Sequence, residues 1–181
     1  RWVPDLSTAF LGGVAGGFLI VSVTVGWSLR RIAGPITLAT AVTLGRGAAL
    51  AVLTGFLAAG LPTGRAAWLP AVLFALAAGL DTVDGAIARA TDSVSELGAR
   101  LDTEMDGLTV LVGTLAVVSA DLVPAAFQLV GLARYLFVFG IWLRQRRERP
   151  VSDLPPSQLR RVLGGVAMAT IWLALLPMVR P

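Results

Sequence analysis

Long apolar runs alternate with short polar connections along the whole chain. A membrane-spanning helix needs about 20 mostly apolar residues, and no period-two pattern typical of a strand interrupts the runs. The third run must continue through Asp81 and Asp84 to reach that length. We predict six spans, at Leu6–Leu29, Ile32–Gly64, Ala66–Leu80 with its extension, Leu97–Ala120, Leu122–Leu143 and Val162–Val179. The pattern therefore indicates an all-α, polytopic membrane protein with six transmembrane helices.

Composition supports a membrane protein and removes several kinds of chemistry. Of the 181 residues, 56% are hydrophobic and 14% are charged, whereas soluble domains carry about 25% charged residues. The length fits a single domain over residues 1–181. With no cysteine and no histidine, the chain cannot form disulfides, a Ser-His-Asp triad or the usual zinc sites. A general base or a metal ligand must therefore be a carboxylate or another oxygen donor.

The basic residues predict which side of the membrane each connection occupies. All 15 are arginine, and the net charge is +4. Under the positive-inside rule, the arginine-rich connections lie in the cytoplasm and both termini lie outside. We attribute this charge to the surface of the cell (cytoplasmic) membrane and its anionic lipids, with no role in nucleic-acid binding. Residues 144–157 are predicted to be a cytoplasmic loop or a short surface helix. The arginines on this side are Arg30, Arg31, Arg89, Arg100, Arg144, Arg146, Arg147, Arg149, Arg160 and Arg161.

Acidic residues are concentrated where the third span turns back into the fourth. Seven of the eleven fall within residues 81–106. Asp81 and Asp84 are three residues apart, and Asp102 and Asp106 are four apart, so each pair shares a helix face. The connection between the two helices is short, which makes them antiparallel neighbours whose four carboxylates can converge. Such costly intramembrane charges mark functional sites.

Four converging carboxylates would raise one another's pKa values unless cations compensate them. One or two divalent ions would do so, and an all-oxygen ligand set selects Mg²⁺, Mn²⁺ or Ca²⁺ over zinc. Gly85 and Ala88 leave room for a ligand, Gly98 allows close approach of the facing helix, and Arg89 can neutralise phosphate oxygens. Metal and arginine around a phosphoryl group are typical of phosphoryl transfer.

These residues form the pattern Asp81-x-x-Asp84-Gly85-x-x-Ala88-Arg89, eight residues, and Gly98-x-x-x-Asp102-x-x-x-Asp106. The pattern resembles the signature of the CDP-alcohol phosphotransferase (CDP-alcohol phosphatidyltransferase) family at all eight fixed positions. The resemblance implies a six-helix membrane enzyme, a homodimer, with its active site near the cytoplasmic side. It implies that the four aspartates bind two Mg²⁺ or Mn²⁺ ions, and that Asp106 is also the catalytic base. Gly85, Ala88, Arg89 and Gly98 would bind the nucleotide.

A second family feature, an Asn-x-x-Thr-x-x-Arg pattern, has a counterpart in the second span. Thr43 and Arg46 match it, and Thr40 replaces the asparagine. The resemblance implies that Thr43 and Arg46 contact the nucleotide, although Arg46 could instead pair with an aspartate. The family's first helix would then be the second span, and residues 1–30 would be an additional transmembrane helix.

Further arginines suggest where the acceptor alcohol binds. Arg134 lies inside the fifth span, where an unpaired charge is costly, and Arg160 and Arg161 open the sixth. Related enzymes that accept phosphorylated alcohols place arginines at similar positions. We therefore predict an acceptor pocket at Arg134, Arg160 and Arg161, or else anchoring of these side chains at the membrane interface.

The function predicted is transfer of a phosphatidyl group from CDP-diacylglycerol to the hydroxyl of a polar alcohol, with release of CMP, in phospholipid biosynthesis. Glycerol 3-phosphate and inositol phosphate are the favoured acceptors, and serine and free inositol remain open. The alternatives are transfer from a CDP-linked polar alcohol to a lipid, a magnesium-dependent intramembrane prenyltransferase, and a non-enzymatic transporter. A prenyltransferase would not need the Gly-x-x-Ala-Arg segment or Gly98, and no inverted repeat typical of transporters is found.

Overall fold

A computed structural model describes residues 7–31, 38–90, 95–151 and 157–179, with the backbone alone at 38–40 and 81–90. The regular elements of this part are six α-helices, α1 (Thr8–Arg31), α2 (Leu38–Ala59), α3 (Leu69–Ala90), α4 (Glu96–Ser119), α5 (Gln128–Arg146) and α6 (Gln158–Leu175), and two short 3-10 helices, Gly64–Trp68 and Ala125–Phe127. The part of the chain that is described contains no strand, and the all-α prediction is confirmed.

Local sequence explains where several helices begin and end. Helix α2 ends before Gly60, whose φ of +90° suits a residue without a side chain. Helix α4 begins after Ser95, whose hydroxyl accepts a hydrogen bond from the Gly98 N–H at 3.0 Å. Helix α6 begins after Ser157, whose hydroxyl accepts from the Arg160 N–H at 3.4 Å.

Helices α5 and α6 do not begin at the residues where the predicted spans begin. Helix α5 begins at Gln128 rather than Leu122, because the chain first turns through Asp121, with φ of +54°, and then meets Pro124, which has no N–H to donate. Helix α6 begins at Gln158, before the predicted start at Val162, because its first turn is polar and capped. Hydropathy alone overlooks both effects.

Helix α4 is the centre of the bundle and contacts each of the other five helices. Consecutive helices pack together from α1 to α5, and α6 packs against α3 and α4. The core lies where α2, α3, α4 and α6 meet, and its largest fully buried apolar side chains are Leu50, Leu53, Phe74, Met105, Ile171, Leu175 and Val117. The helix that carries the second half of the signature therefore packs against every other helix of the bundle.

Helix α1 packs closely on α2 through small residues. A Cβ at Gly13 or Gly17 would overlap α2 at Ala51, Thr54 or Ala58, whereas one at Gly16 would meet nothing within 4 Å. The Thr54 hydroxyl donates to the Gly13 carbonyl at 2.7 Å. Close contact between small residues, with hydroxyls bonding across it, is how membrane helices associate.

Three described helical segments are long and apolar enough to cross a membrane: Thr8–Arg31, Ala41–Ala59 and Ala125–Arg146. The outer faces of α1, α5 and α6 expose large apolar side chains, including Leu19, Val23, Leu129, Phe139, Leu159 and Val162. Exposed apolar side chains in this number suit contact with lipid. The bundle is therefore a six-helix membrane-type fold with three candidate spans.

Tryptophan and arginine lie together at the last turns of α1 and α5. The guanidinium of Arg31 lies 4.6 Å from the Trp27 ring, and that of Arg146 lies 4.5 Å from the Trp142 ring. A cation over an aromatic face is attracted by the ring, and both residue types favour the border between lipid and water. Each of the two helix ends therefore has the residue composition typical of a membrane interface.

Candidate active site

The signature residues lie on two consecutive helices joined by a short connection. Residues 81–90 form the last part of α3, and residues 98–106 lie in the first half of α4. Residues 91–94 lie outside the described residues. Asp102 and Asp106 are about 9 and 15 Å from the start of α4 at a rise of about 1.5 Å per residue. Both are therefore displaced from the helix end into the bundle.

Asp102 and Asp106 are one helical turn apart and lie at the border between the core and the exterior. Their side chains are 39% and 38% exposed, while Met105 between them is fully buried. Each carboxylate is therefore both anchored in the bundle and accessible from outside it. Paired, partly accessible carboxylates on one helix face are suited to binding a cation.

Arg46 of α2 binds both of these carboxylates from inside the bundle. Its Nη1 donates to Asp102 Oδ1 at 2.7 Å and its Nη2 donates to Asp106 Oδ1 at 2.5 Å. The side chain is 0% exposed. The prediction that this arginine could pair with an aspartate is confirmed, and its contact with a nucleotide stays a prediction.

The same guanidinium also connects α4 to α3. Its Nε donates to the carbonyl oxygen of Ala77 at 2.8 Å. Ala77 precedes Asp81 by four residues, which is about one turn of α3. Arg46 thus lies at a point where the aspartate-bearing parts of α3 and α4 approach each other, as the short connection predicts.

The donor chemistry fits a hard divalent cation. Of the four aspartates predicted to bind metal, the structure describes the side chains of Asp102 and Asp106. Their carboxylate oxygens are ligands that Mg²⁺ and Mn²⁺ prefer. Among the described side chains no group of three or more potential ligands occurs. Asp81 and Asp84 lie in α3, but their side chains are outside the described part, so four-carboxylate convergence stays a prediction.

The predicted nucleotide-binding residues divide into two groups. Thr43 is buried, with 3% exposure, one turn before Arg46, and Gly98 lies in the first turn of α4 beneath the Ser95 cap. For Gly85, Ala88 and Arg89 the structure describes the backbone alone, which is helical. The roles of all five residues toward a nucleotide stay predictions.

Arg134 is paired with an acidic residue of the signature helix. Its Nη2 lies 3.0 Å from Glu104 Oε2, and the two side chains are 31% and 29% exposed. Glu104 therefore faces α5, away from the Arg46 pairs that hold Asp102 and Asp106. The pair supplies the compensation that a charge within α5 requires, and a role for Arg134 in acceptor binding stays a prediction.

Arg160 and Arg161 lie exposed in the first turn of α6. The positive end of a helix dipole disfavours cations at this position. A role for Arg160 and Arg161 in acceptor binding stays a prediction.

Three residues that contribute to this region were not predicted from the sequence. The Ala77 carbonyl carries no side-chain signal, so nothing in the sequence marks it as an acceptor for Arg46. Ser95 could have been found, because serine before a helix with glutamate next to it is a common start signal. Gly107 could not: a Cβ there would overlap the Arg134 side chain of α5, a contact between distant parts of the chain.

Comparison with known proteins supports the signature. The family model described as CDP-alcohol phosphatidyltransferase matches residues 36–180. The match takes in α2 to α6 and every residue of the signature, and α1 lies before it. A search of the curated proteins and a search of the solved structures each find no match.

Proposed function

The chain belongs to the CDP-alcohol phosphatidyltransferase family, and from that premise we propose that it transfers a phosphatidyl group from CDP-diacylglycerol to a polar alcohol. The alcohol oxygen attacks the phosphorus that carries diacylglycerol. The bond from this phosphorus to the bridging pyrophosphate oxygen breaks, and CMP leaves with the electron pair. The products are a phospholipid and CMP.

One observation supports this assignment above the others. Arg46 is bonded at once to Asp102, to Asp106 and to the carbonyl of Ala77, one turn before Asp81. Arg46 therefore joins the second half of the signature to the turn of α3 that precedes the first half, which supports a shared site.

Asp81, Asp84, Asp102 and Asp106 would hold two Mg²⁺ or Mn²⁺ ions. Bound there, the ions would neutralise charge on the pyrophosphate and on the departing CMP. Asp106 would accept the proton of the attacking hydroxyl. No histidine is present in the chain to compete for that role, and neighbouring cations favour the ionised carboxylate that a base must be.

Donor binding would fall to residues beside the aspartates. Arg89 would contact phosphate oxygens, since a guanidinium matches their geometry. Gly85, Ala88 and Gly98 have little or no side chain and would let the nucleotide lie against the helices. Thr43 would contribute a hydroxyl from α2.

We favour a phosphorylated acceptor such as glycerol 3-phosphate or inositol phosphate. The support is the pair of exposed arginines that opens α6, Arg160 and Arg161. Arg134 lies closer to the signature helix but is already paired with Glu104, so its part in the pocket depends on a second contact.

We further propose that all six helices cross the cell membrane and that the aspartates face the cytoplasm. The support is that Arg30, Arg31, Arg144, Arg146 and the arginines of α6 belong to connections on the predicted cytoplasmic side. Residues 1–30 would then be an additional spanning helix. A homodimer is proposed from the family resemblance.

The decisive experiment supplies purified protein with CDP-diacylglycerol labelled in its diacylglycerol, Mg²⁺ and a panel of alcohols. The expected result is CMP together with a labelled phospholipid whose headgroup identifies the acceptor. Transfer only from a CDP-linked polar alcohol to diacylglycerol would support the reverse pairing of substrates. Binding of isoprenyl diphosphate without any binding of cytidine nucleotide would overturn the assignment in favour of a prenyltransferase.

A further inference from the structure

We propose that Arg46 is a positioning residue that holds the Asp102 and Asp106 carboxylates in the orientation that binds metal. This inference rests on the proposed function, since it concerns two of the four aspartates assigned to the metals there. It replaces direct nucleotide contact as the main role of Arg46.

The geometry of the guanidinium carries the inference. Its three nitrogens bond three different acceptors, at 2.7, 2.5 and 2.8 Å. A guanidinium is rigid and planar, with its donors in fixed directions. Three bonds from one rigid plane therefore fix the relative positions of Asp102, Asp106 and the Ala77 carbonyl. A single hydrogen bond to each aspartate from separate flexible groups would not do so.

Burial shows on which side of the carboxylates the arginine lies. Arg46 is 0% exposed, whereas the two aspartate side chains are 39% and 38% exposed. The guanidinium is therefore behind the carboxylates, on the core side, and the aspartates lie between it and the exterior. A ligand that approaches from outside meets the aspartates first.

The charge and the shape of Arg46 act on a metal in opposite directions. Its positive charge repels a cation. Its planar set of donors, in contrast, orders the carboxylates before the metal binds, so that less conformational entropy is lost on binding. Groups that hydrogen-bond to metal ligands contribute about 10–100-fold to metal affinity. A test must therefore keep the charge of Arg46 and remove its planar arrangement of donors.

Arg46→Lys does this, because an ammonium retains the charge without the planar arrangement of donors. Arg65→Lys is the matched control: the same exchange at an exposed position beyond the other end of α2. Mn²⁺ binding to purified protein is measured by electron paramagnetic resonance, and the fold is checked by thermal unfolding. Steady-state kinetics at saturating Mn²⁺ provide the KM for the CDP donor.

We expect Arg46→Lys to weaken Mn²⁺ binding about tenfold and to lower kcat, with donor KM changed less than about twofold. Arg65→Lys should match the wild type in every measurement. A raised donor KM with unchanged Mn²⁺ affinity would overturn the proposal in favour of nucleotide contact. Unchanged Mn²⁺ affinity with unchanged kinetics would also overturn it, while leaving the proposed function intact. Failure of the wild type itself to bind Mn²⁺ would overturn both.

A second variant covers the case in which Arg46→Lys does not fold. Arg46→Ala removes the entire guanidinium group. Guanidinium added at millimolar concentration can replace the planar donors, whereas methylammonium supplies only a positive charge. The expected result is that guanidinium alone raises the Mn²⁺ affinity of Arg46→Ala. Equal effects of both ions, or no effect of either, would count against the positioning role.

Discussion

Glu104 and Arg134 form a 3.0 Å ion pair that joins the signature helix α4 to α5. The stem of Arg134 lies across Gly107, where a Cβ would overlap it. Gly107 directly follows Asp106 in the sequence, so the pair holds α5 against the same stretch of α4 that carries Asp102 and Asp106. On the opposite side, Arg46 attaches that stretch to α2 and α3.

The first prediction concerns this ion pair. Glu104→Gln and Arg134→Gln should each lower the free energy of unfolding, because each leaves a partly buried charge without its partner. The double variant should cost less than the sum of the single variants, with a coupling of about 0.6 kcal/mol, the average for hydrogen-bonded pairs between membrane helices, and at most about 1.7 kcal/mol. Reversible unfolding in mixed micelles measures it.

Acceptor kinetics separate this role from acceptor binding. If the pair is structural, Glu104→Gln and Arg134→Gln change the acceptor KM by similar small factors. A large rise in acceptor KM for Arg134→Gln alone would show that Arg134 binds the acceptor and would limit the structural interpretation.

The second prediction concerns the glycine contact between α1 and α2. Gly17→Ala should destabilise the protein by about 1–3 kcal/mol, the usual cost of overpacking, since its Cβ would overlap Ala51 and Thr54. Gly16→Ala is the control from the next position of α1, where a Cβ meets nothing within 4 Å. It should be neutral or slightly stabilising.

Thermal unfolding of the two variants checks this contact. Equal melting temperatures for Gly16→Ala and Gly17→Ala would mean that α1 does not pack on α2 through this face.

The third prediction concerns the proposed base. Asp106→Asn keeps an oxygen acceptor for Arg46 and should fold normally, but it cannot accept the hydroxyl proton. We expect kcat to fall by about 10²–10⁴-fold, the usual contribution of a general base, with donor affinity largely retained. Asp121→Asn, in the exposed turn after α4, is the control and should behave as the wild type.

Donor binding and turnover are measured on the same preparation of Asp106→Asn. Loss of donor binding as severe as the loss of kcat would argue against a role as base and for a role in binding alone.

The fourth prediction concerns membrane orientation. The chain contains no cysteine, so any cysteine introduced is the single labelling site. Thr63→Cys, between α2 and α3, should react with a membrane-impermeant maleimide on intact cells. Arg149→Cys, between α5 and α6, should react only after permeabilisation. The reverse pattern would place the aspartates on the outer side.

The helices were predictable because each is an apolar run bounded by residues with strong local preferences. Ser95 begins α4 through a hydrogen bond within one turn, and Gly60 ends α2 through its own positive φ. Both are local preferences that the sequence reveals. The start of α5 was missed because Asp121 and Pro124 interrupt an otherwise apolar run. The mean hydropathy of a run changes little when one such residue is present, although that residue can prevent the backbone from forming a helix.

The pairings within the site were only partly predictable. Asp102 and Asp106 share a face by helical spacing alone, and the convergence of α3 and α4 follows from a short connection. Arg46 is 56 residues from Asp102 and 60 from Asp106, and which acceptors it selects depends on how α2 packs. Glu104 and Arg134 are also on different helices, so their spacing contains no sign of their contact. Charges within apolar helices signal that partners exist without identifying them.

Electron paramagnetic resonance of Mn²⁺ bound to purified protein tests the central claim most directly. If the aspartates of α3 and α4 form one site, the wild type should bind two Mn²⁺ ions about 3.5–4 Å apart, with the spectrum of a coupled pair. Asp84→Asn should lose that spectrum and weaken donor binding with it. A wild type without bound Mn²⁺, or an unaltered spectrum in Asp84→Asn, would contradict the account.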